Sequence, residues 1–477
     1  MRTGRSVVSM VVGVMLVGPA LLSGGRALGV TGGGWGTAVE VPGTAALNAG
    51  DQAQLYSMSC PSSGNCAAGG WYTDASGHEQ AFVVDETGGV WGNAIEVPGT
   101  AALNTGRVAQ VVSVSCSSPG TCVSGGFYSA GINAEAFVVD ETGGVWGKAI
   151  EVPGTAALNA SGFAEVASVS CAPGAPGNCS AVGGYADTSV THEQVFVADE
   201  TGGVWGNAIE VPGTAALNAL GAISADHLSC PTAGNCTLSG AYRDSAGHDQ
   251  PFVAREKSGV WGKAFKLPGV AALNAGVVAG IDALSCTSPG NCAAAGRYSL
   301  GTGSARQLFV ANETNGRWSP AVEMPGIAAL NAGRFADADS MSCTTSGNCA
   351  AGGYYETSTG IMMPFVINET GGIWGQATAV PGLASLTEGG SAVNSVSCSS
   401  ARNCVAGGYY RRQAMVASEF GGVWHNASLV PGSKALNTGF SAQVLAVSCA
   451  RAGTCALGGF YSLVPKNETE VFIDTRG

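Results

Sequence analysis

The chain has 477 residues, with 21 Lys and Arg against 33 Asp and Glu, a formal charge of −12 and only 11% charged residues. It carries no basic cluster, which excludes a nucleic-acid partner, because phosphate binding needs concentrated Lys and Arg. An acidic, weakly charged surface suits solubility outside the cell and contact with polyols or cations.

Residues 1–29 read as a signal peptide: Arg2 and Arg5 form a basic start, 7–22 is an apolar run broken by Gly and Pro, and Ala27-Leu28-Gly29 offers a small-x-small cleavage site. The mature chain then begins near Val30, and losing Arg2, Arg5 and Arg26 takes the formal charge from −12 to about −15. The apolar run is too short and interrupted for a membrane anchor, and no later segment approaches a span. A secreted, extracellular product is expected. All sixteen Cys fall in local pairs: Cys60/Cys66, Cys116/Cys122, Cys171/Cys179, Cys230/Cys236, Cys286/Cys292, Cys343/Cys349, Cys398/Cys404 and Cys449/Cys455. In an exported chain that pattern predicts disulfides. Zinc would need two further ligands at a repeated position, and none recurs.

Eight tryptophans (Trp35, Trp91, Trp146, Trp205, Trp261, Trp318, Trp374 and Trp424) alternate with the Cys pairs, mostly within stretches such as GGVWG. The period is about 56 residues, in the range of solenoids, propellers and arrays. One unit reads as four strands: 54–60, with apolar residues on alternate positions; 66–72, carrying two glycines; 81–85; and 90–97 after the tight turn at Thr87-Gly88-Gly89. Four short antiparallel strands cannot bury both sheet faces alone, but packing eight such sheets around an axis does so. The predicted fold is therefore all-β, an eight-bladed β-propeller spanning residues 30–477. Its blades fall at about 43–98, 99–153, 154–212, 213–268, 269–325, 326–381, 382–431, and 432–477 plus 30–42. The N-terminal segment 34–41 supplies a lone fourth strand while the C-terminus stops after a third, 470–474. The two ends are expected to complete one blade and close the ring. Each Cys pair should bridge the first hairpin of its blade.

The hairpin Asp85-Glu86-Thr87-Gly88-Gly89-Val90-Trp91 resembles the Asp-box hairpin of sialidase-type bacterial propellers, with Glu86 in the acidic place. It is also similar, with shorter spacing, to the Trp-docking hairpin of eight-bladed quinoprotein propellers. Over its mature length the chain resembles secreted bacterial repeat propellers of unknown function. The resemblance implies a structural motif, with the Trp packed between blades, and says little about activity.

Four groups of residues are candidates for chemistry. In the repeated inter-blade loop PGTAALN, the carboxamides of Asn48, Asn104, Asn159, Asn218, Asn274, Asn331 and Asn437 could bind sugar hydroxyls, with Thr387 replacing Asn in the seventh unit. The simpler reading has the Asn bonding its own backbone while Ala-Ala-Leu plugs the blade interface. Between strands two and three, His78, His192 and His248 each precede a carboxylate and a Gln, a pairing suited to acid–base work or metal binding. Arg411 and Arg412 fill the short loop of the seventh unit, with Arg243 and Arg306 in related loops. They do not reproduce the Arg triad of sialidase sites. On the innermost strand, Asp226, Asp282 and Asp339 stand four residues before the first Cys of three successive units, followed by Asn394. Such oxygen ligands could hold calcium, the one cofactor the sequence suggests; otherwise they line a hydrated channel. The expectation is a non-catalytic, monomeric binding or scaffold propeller for a glycan or an extracellular protein. The alternative is an enzyme at the channel mouth, a glycoside hydrolase, a lyase or a quinoprotein-like dehydrogenase.

Overall fold

A computed structural model describes residues 34–476 apart from 190–191, 302, 384–388, 452–453 and 465–467. The proposed signal peptide and Thr387 lie outside the described residues. The chain forms eight antiparallel sheets, each with its strands in simple sequential order, and the last one is completed from the N-terminus. Blade 1 comprises Ala53–Ser62, Asn65–Thr73, Glu79–Thr87, Val90–Trp91 and Ile95–Glu96. Blades 2 to 7 repeat this over 109–151, 164–210, 223–266, 279–323, 336–379 and 391–429. Blade 8 takes three strands from 442–476, and Val39–Glu40 pairs with Ile473 and Phe472 as its outer strand. Trp35 adds a bridge to Arg476. The ring is closed by strand donation between the two chain ends, so no long edge stays open.

The outer strand differs from the continuous strand expected. It is split in two short pieces, both paired with the third strand, because the Ala94 N–H turns away to the Pro42 carbonyl of the preceding inter-blade loop at 2.7 Å. That diversion recurs as Ala149 to Pro98, Ala208 to Pro153 and Ala264 to Pro212, so each outer strand ties two blades together. The loop itself is a single helical turn, Thr44–Leu47 in blade 1. It starts from Gly43 in the left-handed region at φ 84°, where a Cβ would come within 3.1 Å of Ala94 N. Thr44 is the buried residue and donates to Val41 O at 2.7 Å, whereas both alanines face outward instead of plugging the interface.

All eight predicted disulfides are formed, each joining the first two strands of its blade: Cys60–Cys66, Cys116–Cys122, Cys171–Cys179, Cys230–Cys236, Cys286–Cys292, Cys343–Cys349, Cys398–Cys404 and Cys449–Cys455. The core lies between blades, where Phe82, Val83 and Val84 and their repeats are fully buried. The double glycine of the second strand follows from this packing. A Cβ on Gly69 would strike Val111 of the next blade at 2.6 Å, and one on Gly70 would sit 1.9 Å from the Gln54 carbonyl across the hairpin.

Candidate functional site

Every innermost strand carries a β-bulge at the same place. The pairing slips between Leu55 and Ser57, Val111 and Ser113, Val166 and Ser168, Ala225 and His227, Ile281 and Ala283, Asp337 and Ser340, Val393 and Ser395, and Val444 and Ala446. A bulge leaves one residue unpaired and re-aims its side chain, and innermost strands of a propeller line the axis. The residues so placed divide the axis in two. Leu445, Tyr56, Val112 and Ala167 supply one arc from blades 8, 1, 2 and 3; Asp226, Asp282, Asp339 and Asn394 supply the other from blades 4 to 7.

The polar arc is knitted together by groups from the second and third strands. Arg297 donates to Asp282 and lies 3.9 Å from Asp337. Arg306 Nη2 donates to Asp337 Oδ2 at 2.7 Å, and the Tyr354 hydroxyl donates to the same carboxylate. The Arg306 guanidinium lies 3.7 Å above the Phe335 ring, which stacks on Tyr354 at 6.2 Å. Asp226 accepts from the Ser224 hydroxyl at 3.0 Å, and Asn394 Nδ2 donates to Val444 O at 2.8 Å. Enclosure by protein raises the Asp282 carboxyl to about 7 against the pull of Arg297. Enclosure, reinforced by Asp337 and Asp282, holds Asp339 well above the ordinary range although the channel admits water to it.

Asp226, Asp282 and Asp339 thus share one arc, but the structure sets a guanidinium beside Asp282 where the calcium expectation needs a metal ion. Among the described residues no three His, Cys, Asp or Glu converge to hold one. Arg297, Arg306, Asp337, Tyr354 and Phe335 complete the cluster. Sequence reasoning passed over Arg297 and Tyr354. Their signal was available, since Trp71, Phe127, Gly184, Ala241, Arg297, Tyr354, Tyr409 and Phe460 occupy one repeat position that varies while its neighbours do not.

The other candidate residues lie elsewhere. The seven asparagines staple adjacent blades. Asn331 Nδ2 donates to Arg306 O and Gln307 Oε1, both at 2.9 Å, and its Oδ1 accepts from Phe335 N at 2.8 Å. Asn48, Asn104, Asn159, Asn218 and Asn437 make equivalent bonds to the third strand 25 residues earlier, or for Asn48 to Thr469 across the ring closure. Asn274 keeps only the acceptor half, taking Ser299 N at 3.1 Å. The six donors are turned into the protein between blades instead of toward a ligand, because each satisfies a strand-end carbonyl. The histidines sit in separate loops beside local aspartates. The His78 ring lies 3.5 Å from Asp74 and the His192 ring lies 2.6 Å from Asp187, while at His248 it is the backbone N–H that donates to Asp244 Oδ1 at 3.0 Å. Arg411 and Arg412 form the left-handed residues of a tight hairpin, at φ 46° and 67°, and Arg243 pairs with Asp249 at 2.8 Å.

A second recurring constellation lies between blades at the disulfide end. The Trp146, Trp205 and Trp261 indoles donate to Asp85, Asp140 and Asp199 of the preceding blade at 2.8, 2.9 and 2.9 Å. Beside each Asp stands a buried Glu of the next blade: Glu141, Glu200 and Glu256. Burial and the neighbouring Asp raise each of these three to about 7, and burial raises Asp85 to about 6. At later boundaries Asn312 and Asn368 replace the Asp, bonding both the indole of Trp374 or Trp424 and the carboxylate of Glu369 or Glu419. Clefts open here, about 250 Å³ between blades 5 and 6, lined by Asn312, Glu313, Glu369 and Thr314, and about 10 Å³ between blades 1 and 2.

The disulfides stand in two relations to these clefts. Cys292, Cys343 and Cys349 border the larger one, and Cys66 and Cys122 border the smaller. Cys179, Cys236, Cys404 and Cys455 line neither; they are buried in the apolar cores between blades. Those four are buried at the blade boundaries, and Cys236 Sγ also lies 3.5 Å from the Ser180 hydroxyl.

The fold and its sites define an eight-bladed, disulfide-stapled β-propeller. No family profile matches the chain, and no curated protein is similar enough to be matched. Solved structures share the fold at low identity. Sqt1 of Chaetomium thermophilum, bound to the N-terminus of ribosomal protein L10, has a TM-score of 0.48 at 10% identity over 89% of this chain and 98% of that one. A Hadza microbial sialidase, Hz136, has a TM-score of 0.38 at 10% identity over 84% of this chain and 73% of that one. A prolyl endopeptidase has a TM-score of 0.42 at 13% identity over 79% of this chain, which spans 49%, about half, of that protein.

Proposed function

We propose that this chain is a secreted, extracellular propeller that binds a glycan at the axial mouth without turning it over. The observation that carries the reading is the one-sided polar arc: Asp226, Asp282, Asp339 and Asn394 on successive bulges, beside Tyr354 and Tyr409. Carboxylates and carboxamides beside aromatic faces suit sugars, whose hydroxyls need directional partners and whose C–H faces pack on rings. The sixteen cysteines, all in disulfides, suit an oxidising exterior. No helix among the described residues is long and apolar enough to cross a membrane.

A specific observation favours a second reading, an enzyme at the same mouth. Tyr354 is hydrogen-bonded to Asp337 between two arginines, and Asp282 is held near neutrality. Raised carboxyls in a cleft are candidate acids. Against it, Asp282 and Asp337 are already neutralised within the protein by Arg297 and Arg306.

A glycan array followed by calorimetry on the retained sugars tests both. Binding is expected in the wild type, with a loss of at least tenfold in Asp339→Asn/Asn394→Ala and the sugar recovered intact. No retention on any glycan removes the proposal. Product formation that disappears in Tyr354→Phe replaces it with the enzyme.

A further inference from the structure

The two ends of the ring differ in charge. At the disulfide end both turns of a blade finish together: Gly89 N donates to the Gly64 carbonyl at 2.8 Å, and the bond recurs from Gly144 to Gly120, Gly203 to Gly177 and Gly372 to Gly347. These turns span 61–65 and 87–90 in blade 1, and no Asp or Glu stands in them in any of blades 1 to 7. The loops at the other end hold Asp51, Asp74, Asp187 and Asp244. Cations do stand at the disulfide end. Lys257, Arg317 and Arg402 are exposed in its turns, and none of them is in an ion pair among the described residues. A chain of formal charge −12 thus keeps the turns of one end free of carboxylates and supplies them with positive charge.

The same end carries a circle of aliphatic side chains. Val90, Val145, Val204, Val260, Ile373 and Val423 occupy one repeat position, next to the outer Trp, and are between 61% and 75% exposed. Folding does not call for them: Arg317 takes the position in blade 5 and keeps the pairing, to Thr314 as Val90 pairs to Thr87. In blade 7 Phe420 adds a half-exposed ring, with the Arg476 guanidinium 4.7 Å above it. Apolar groups that recur in water without packing mark a surface of contact. The chemistry narrows the occupant. Sugars need concave polar sites and aromatic platforms, and valine and isoleucine offer neither. A second copy of this end would set like charges against one another.

We propose that the disulfide end docks on an anionic lipid surface, with the aliphatic tips entering the headgroup boundary and Lys257, Arg317 and Arg402 facing lipid phosphates. Peripheral membrane surfaces combine exposed apolar groups with Lys and Arg in this way, the first for insertion and the second for attraction to anionic headgroups. The acidic remainder of the chain does not oppose docking, because salt screens exposed charges beyond about 8 Å at physiological ionic strength. Arg306 and Tyr354 stand toward the opposite ends of their strands from the disulfides. A docked ring therefore holds the axial mouth away from the lipid, and the docking does not depend on what that mouth binds.

Co-flotation of the intact protein with vesicles tests the proposal, using phosphatidylcholine alone and phosphatidylcholine mixed equally with phosphatidylglycerol. The wild type is expected to float with the anionic vesicles in low salt and not with phosphatidylcholine. Each cation beside such a surface is worth roughly fivefold in partitioning, so Lys257→Glu/Arg317→Glu/Arg402→Glu should lose at least about tenfold. Val90→Ser/Val145→Ser/Val204→Ser should lose about tenfold as well, through the apolar area left in water. Both variants alter only exposed turn residues, and a Tm equal to that of the wild type shows that they fold. No flotation of the wild type, or flotation kept in both variants, would overturn the proposal. A loss confined to the charge variant assigns this end to a soluble polyanion and overturns it too. So does an equal loss in Arg411→Glu/Arg412→Glu, at the opposite end, because it reports bulk charge attraction.

Discussion

The Arg255 guanidinium and the Glu313 carboxylate meet across the boundary of blades 4 and 5 at 2.7 Å, with the Glu313 side chain fully buried. Trp318 has no acceptor there, because arginine has displaced the carboxylate or carboxamide that other indoles use. One substitution has exchanged an indole bond for an ion pair within an unchanged backbone. Arg255→Ala should therefore destabilise the protein by about 2 kcal/mol at pH 8, leaving a buried carboxylate without its donor. The loss should shrink at pH 5, where Glu313 can take up a proton, since burial already pushes its carboxyl upward. Thermal midpoints at the two pH values give the comparison.

The acidic boundaries make a different forecast. Folding raises Glu141, Glu200 and Glu256 to about 7 and Asp85 to about 6, against about 4 in an unfolded chain. Between those values the folded state binds more protons than the unfolded one, so stability falls as pH rises. This contribution is complete below about pH 4 and lost as pH climbs through 6 to 7. The wild type should melt several degrees higher at pH 5 than at pH 8, and the difference should shrink in the triple variant Asp85→Asn/Asp140→Asn/Asp199→Asn. A midpoint equal at both pH values would contradict the raised carboxyls.

The N-terminal strand completes blade 8 through a short ladder. Ala38 N donates to Pro431 O at 2.8 Å, Val41 N donates to Val471 O at 3.0 Å, and the Val41 side chain is fully buried. A chain starting at residue 42 should lose about 2–4 kcal/mol from the buried apolar surface and the ladder bonds. Its exposed third strand in blade 8 becomes a template for pairing with another copy. Light scattering and limited proteolysis should report self-association and cleavage within blade 8.

The asparagine staples supply an internal control. Asn331→Ala removes two donated and two accepted bonds and should cost about 2 kcal/mol. Asn274→Ala should cost about 1 kcal/mol or less, because Nδ2 of Asn274 already lacks a partner. Equal losses measured by denaturant unfolding would argue against the stapling role.

Several features were legible in the residues because they are local or repeated. The eight Trp and Cys marks set the blade count, the turn glycines set the hairpins, and the unmatched strands at 34–41 and 470–474 announced the closure. Each depends on neighbours close in sequence or on a period that any unit displays. The calcium reading of Asp226, Asp282 and Asp339 rested on the same logic, and it missed Arg297 because that partner stands on another strand, 15 residues from Asp282.

The repeat alone dictated the eight blades, their disulfides and their order around the ring, since each blade's strand pattern is a property of some fifty consecutive residues. Which side chains meet was decided only by the folded ring. Axial bulges gather Asp282, Asp337, Arg297, Arg306 and Tyr354, and blade boundaries press Asp85 against Glu141 although they are far apart along the chain. Electrostatic character depends on distance through space and on exclusion of water, and neither quantity is written in residue order.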